Sequence, residues 1–130
     1  MSLRESILSA LQTTLASLCG GRVYRSRQEQ LPALPAIVIR PETENDPGEM
    51  LTVSDSTLTV AVEIYARGDI PDQAADPVLT AALSALRADS TLGLGSDVQI
   101  LPARRVDWQI ENYDDGAATL HIDILYRTYP

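Results

Sequence analysis

The chain has 130 residues, the length of one ordinary domain that buries roughly two thirds of its unfolded surface. Its net charge is −8 and its ten basic residues are all arginine, scattered apart from Arg104-Arg105, which argues against a protein that grips duplex DNA by its phosphates. A single cysteine, Cys19, excludes an internal disulfide and any metal site built on several thiolates, and no apolar run reaches the ~20 residues of a membrane span.

At the N-terminus Arg4 and Glu5 interrupt the apolar residues, so the sequence predicts no signal peptide and a reducing, cytoplasmic setting. Leu3, Ile7, Leu8, Leu11, Leu15 and Leu18 recur at steps of three and four, the stripe of an amphipathic helix. Ser2 with Glu5 has the form of a capping box, and Gly20-Gly21 supplies a stop, so the first helix is expected over about 3–19. Cys19, beside that stop, reads as a buried or half-buried structural thiol.

Val23-Tyr24 suggests a short strand, and Ala36-Ile37-Val38-Ile39 a second one ended by Pro41. Residues 41–56, "PETENDPGEMLTVSDS", then read as a flexible acidic loop. Its carboxylates Glu42, Glu44, Asp46 and Glu49 lack the spacing of a twelve-residue calcium loop and are expected to be solvated. Leu58, Val60, Val62 and Ile64 alternate with polar and small residues, which predicts a strand paired with 36–39 as a long antiparallel hairpin.

Arg67-Gly68-Asp69 falls where this alternation ends and before Val78, Leu79, Ala82, Leu83 and Leu86 resume at helical spacing. The tripeptide therefore reads as a strand-to-helix joint, not an adhesion ligand. Asp76-Pro77 supplies an N-cap and a first-turn proline, which predicts a helix over 76–88 after an irregular turn at 72–75. Val98-Gln99-Ile100-Leu101 reads as a short strand. Val106, Trp108 and Ile110 alternate before the turn residues 112–116, and Leu120, Ile122, Ile124 and Tyr126 alternate after them, which predicts a closing hairpin. The expected fold is one α+β domain over 1–130, a mostly antiparallel sheet with two amphipathic helices packed on one face.

Groups that could carry chemistry are few. His121 shares a strand face with Asp123, but no serine stands in a nucleophile-elbow pattern, so a solvated or interface histidine is expected. "LCGGRV" and "LGLGSD" lack the phosphate-cradling lysine and the dinucleotide spacing. Trp108 alternates with aliphatics and reads most simply as core, with an interface anchor as the other reading. An enzyme, a cofactor and a metal site are not expected.

The order of these features resembles the tail terminator proteins of long-tailed phages, the lambda-type minor tail protein U or tail completion family. The resemblance is carried by the N-terminal helix, "LPALPAIVIRP", the strand "STLTVAVEIYARGDIPD", the helix "DPVLTAALSALRAD" and the closing "LHIDILYRTYP", and it covers nearly the whole chain. It implies a non-enzymatic virion protein that assembles with itself as a ring, commonly a hexamer, caps the tail tube and offers a surface for joining the head. The implied partners are the major tail protein and a head-completion or neck protein, with no specific nucleic-acid binding and no membrane. The implied location is the host cytoplasm during assembly and then the virion tail, or a prophage origin. On this reading Glu42, Glu44, Asp46 and Glu49 are candidates to face the tube or its lumen, and Arg67, Asp69, Arg104 and Arg105 are candidates for the subunit interface. A neck or head-closure protein shares much of the layout. A non-phage dimeric module binding a ligand between Trp108 and His121 is the alternative of another class.

Overall fold

A computed structural model describes residues 2–25, 35–45, 54–68, 70–101, 105–110 and 115–129. The first helix, α1 (Leu3–Leu15), starts as its sequence dictates: the Ser2 side chain accepts a hydrogen bond from the Glu5 backbone N–H. The reciprocal half of the capping box is replaced, because the Glu5 carboxylate accepts from Arg25 at 2.9 and 3.0 Å. The helix tightens into a 3-10 turn at Ala16–Cys19 and stops at Gly20, whose φ of 61° is left-handed. The α-helix is thus one turn shorter than its stripe suggests. Cys19 is buried, and burial pushes its thiol up.

Six strands form one sheet: β1 (Val23–Tyr24), β2 (Ala36–Asn45), β3 (Ser54–Arg67), β4 (Val98–Ile100), β5 (Arg105–Ile110) and β6 (Asp115–Thr128). The spatial order is β1-β2-β3-β6, with β5 and β4 both paired to the outer side of β6, β5 along its first half and β4 near its end. All described pairings are antiparallel except β1 with β2. The expected β2-β3 and β5-β6 hairpins are present. The centre of the sheet is a pairing of distant segments, β3 against β6 over 14 residues of each, from Ser54 opposite Thr128 to Arg67 opposite Asp115.

One face of this sheet is apolar. Ile37, Ile39, Leu58, Val60, Val62, Ile64, Leu120, Ile122 and Ile124 pack there against Ile7, Leu8, Leu11 and Leu15 of α1. The second helix, α2 (Pro71–Ala88), adds Ala75, Leu79, Ala82 and Leu86 to the same core. Burying each large aliphatic side chain contributes about 1.5–3 kcal/mol, so this face drives folding and both helices lie on it, as the sequence predicts. The other face carries Arg40, Thr59, Glu63, His121 and Asp123 between small buried residues such as Ala61.

Three further elements begin or end elsewhere than expected. Strand β2 continues through Pro41 to Asn45, so residues 41–45 and 54–56, assigned above to the acidic loop, are paired strand; residues 46–53 lie outside the described residues. Strand β1 pairs with Ile37 and Val38, so among the described residues the rest of β2 is an edge, where a proline removes little from the ladder. Helix α2 starts at Pro71, not at Asp76: Pro71 takes the first helical turn and Pro77 sits inside the helix. The early start brings Ala75 into the core. The cost falls at Pro77 and at Gln73, whose carbonyl loses its helical partner, and both residues are exposed. A Cβ on Gly68 would come within 3.0 Å of the Ala74 side chain, so the joint before α2 needs glycine for close approach.

Candidate functional site

Of the polar residues singled out in the sequence, Glu42, Arg105 and His121 come together on the helix-free face. Between Pro41 and Thr43 the register of β2 against β3 slips by one residue, and Glu42 is the extra residue of this bulge. The slip turns Glu42 toward β6, where its Oε1 lies 2.5 Å from His121 Nδ1. On the far side of the same ring, Nε2 lies 2.8 Å from Asp107 Oδ2, and Asp107 also accepts from Arg105 Nε at 3.0 Å. Arg105 comes into range because it stands directly opposite His121 in the β5-β6 ladder.

His121 is 8% exposed, so of the solvated or interface histidine expected above the solvated reading is corrected. Both ring nitrogens are occupied by carboxylates. Neither is placed to take a proton from a substrate, and Glu42 and Asp107, on opposite sides of the ring, do not converge on a common point as metal ligands would. The Arg105 guanidinium first, and the His121 ring second, hold the Asp107 carboxyl below the usual range. An open groove of about 260 Å³ lies over the chain, lined by Glu42, Thr43, Thr59, Arg105 and His121. Beside it Thr59 Oγ1 donates to Asp123 Oδ1 at 2.6 Å, and Arg40 Nη2 donates to Glu63 Oε2 at 3.2 Å.

Glu44, two residues beyond Glu42, points to the opposite face. Arg4 donates to both of its oxygens, at 2.8 and 2.6 Å, and the buried Tyr126 hydroxyl donates to it as well. The Arg4 guanidinium holds the Glu44 carboxyl below the usual carboxylate range. This three-way contact ties the start of α1 to the end of β2 and to β6. Glu42 and Glu44 are therefore both committed to partners inside the chain. Asp46 and Glu49 lie outside the described residues.

Among the candidate interface residues, Arg67 and Arg105 do not converge. Arg67 ends β3 opposite Asp115, whereas Arg105 stands opposite His121, six positions along β6 and so about 20 Å away. Asp69 and Arg104 lie outside the described residues. The residue that reading the alternation as core misplaced is Trp108. It stands opposite Ala118 on the helix side of β5, yet it is 45% exposed; among the described residues β5 pairs with β6 alone. Ile70, 55% exposed, lies near the same end of the sheet, three residues after Arg67. Half-exposed aromatic side chains on strands with an unpaired edge, as β5 has among the described residues, can serve as contacts for another chain. Alternation along β5 predicts the face of Trp108 but not the strand order around it.

No described helix is long and apolar enough to cross a membrane. The family model of tail completion protein gp17 matches residues 5–129. No curated protein matches the sequence. Among solved structures, a chain of the virion of a native gene transfer agent particle is similar in fold, with a TM-score of 0.72 at 16% identity over 94% of this chain and 95% of that one.

Proposed function

The chain belongs to the family of tail completion protein gp17, and from that premise we propose that it works by geometry as a tail terminator. Subunits join through unlike surfaces into a ring, six in number, that caps the tail tube, ends its elongation and presents the surface to which a head-completion or neck protein binds. Its other neighbour is the major tail protein of the tube.

The observation that carries this reading is the half-exposed Trp108 on the free edge of β5, in a chain of a tail structural family. A large aromatic side chain held out on a strand edge supports an interface that closes on another subunit. The family assignment speaks against the non-phage ligand-binding module. The acidic segment is proposed to face the tube or the channel, where carboxylates keep DNA from adhering; since Glu42 and Glu44 are tied into the fold, Asp46 and Glu49 are the members free to be varied without cutting a described contact.

Light scattering over a concentration series, together with a head-joining assay, tests both parts. The wild type is expected to reach a ring-sized species. Trp108→Ala should remain folded but stay monomeric at concentrations about tenfold higher or more, since an aromatic anchor contributes 2 kcal/mol or more. The double variant Asp46→Asn, Glu49→Gln should form the ring and fail to join heads. A ring that Trp108→Ala leaves unchanged would remove β5 from the interface, and normal joining by the double variant would remove the acidic segment from it. Co-purification with filled heads rather than with isolated tails would point to a neck protein instead.

A further inference from the structure

We propose that His121 is a proton-operated latch that ties β2 and β5 to β6, closed when the imidazole carries two ring protons and open toward β5 when it carries one. The proposal rests on the hydrogen-bond geometry alone and is independent of the ring assignment. An ionised carboxylate only accepts hydrogen bonds, while a neutral imidazole offers one donor and one acceptor. With Glu42 Oε1 at 2.5 Å from Nδ1 and Asp107 Oδ2 at 2.8 Å from Nε2, only the doubly protonated ring satisfies both neighbours. Loss of one proton to water leaves a lone pair facing a carboxylate at one end.

The surroundings decide which arm lets go. The charged groups facing the ring are Arg40 and Glu42 on β2, Glu63 on β3, Arg105 and Asp107 on β5, and Asp123 on β6 itself. That is four carboxylates and two guanidiniums around the ring. Arg40 is engaged with Glu63 and Arg105 with Asp107. Asp107 keeps Arg105 when the ring withdraws, and its side chain is 48% exposed against 25% for Glu42, so it is the arm that solvent can take over. Strand β5 is then held by β6 on one side only, without its side-chain tie. At the acid end the Asp107 arm is the one held in its accepting form, because Arg105 first and then His121 hold the Asp107 carboxyl below the usual range. The device joins the base of the acidic segment, at Glu42, to the edge strand that carries Arg105 and Trp108.

Amide hydrogen exchange by NMR, corrected for the intrinsic pH dependence and followed alongside the ring nitrogen signals of His121, tests this on the intact chain. In the wild type both ring nitrogens should carry protons at the acid end, and protection of the 105–110 amides should fall about tenfold as the ring loses one, the loss of one charge-assisted hydrogen bond. The β3 amides should not follow. In Asp107→Asn the side-chain amide can accept from the charged ring and donate to the neutral one, so protection across 105–110 should stay level through the same titration. Level protection in the wild type, an equal fall in Asp107→Asn, or a ring with a single proton while β5 is protected would each overturn the latch.

Discussion

Glu44 shows how a residue that reads as a solvated loop carboxylate becomes a structural one. In the sequence it stands in an acidic run without visible partners, because Arg4 lies 40 residues away and Tyr126 lies 82 residues away. Only the bulge that alternates Glu42 and Glu44 onto opposite faces brings each to its partner, and a one-residue slip leaves no trace in composition. The contact has a pH signature. Its carboxyl is depressed in the folded chain, so the unfolded chain binds more protons in acid, and the contribution is complete above the unfolded value of about 4.3. It is lost as pH falls through the folded value. Urea unfolding followed from neutral pH into acid should therefore show a shallower acid loss for Glu44→Gln than for the wild type, with the variant less stable by about 1 kcal/mol at neutral pH. Equal slopes would show that the Arg4 pairing adds nothing to folding.

Helices and strands were legible to the extent that their periodicity was undisturbed by proline. The alternation in β3 and β6 named the core residues of both strands, and the stripe of α1 named Ile7, Leu8, Leu11 and Leu15, all buried. The boundaries failed at Pro41 and Pro77. A proline is read as a stop because it removes a donor and clashes in a helix interior, but at Pro41 the strand is an edge among the described residues, and Pro77 and Gln73 are both exposed. The early start of α2 buries Ala75 and places Pro71 and Asp72 in a favourable first turn, which offsets part of the penalty. Pro77→Ala should restore the helical bond without touching the core, raising stability by up to about 3 kcal/mol in chemical denaturation. A loss of stability would mean that the proline is needed to set the path of α2 across the sheet.

At the scale of the whole molecule, the layer architecture followed from the two periodicities, while the strand order did not. The β3-β6 pairing joins residues up to 74 positions apart, such as Ser54 and Thr128, and nothing local records it. That pairing places β5 and β4 at the free side of the sheet, exposes Trp108, and lines up Arg105 with His121. The candidate surface was thus visible in the sequence as residue types and not as a place. A tail protein of this kind would act through the fit of such edges, which accords with a site made of paired charges and one exposed aromatic residue. The most direct test is electron microscopy of growing tail tubes, assembled from the major tail protein, with and without this chain. Tubes that stop and carry a closed ring of it at one end are the predicted result; tubes that lengthen unchecked with bare ends would contradict the terminator.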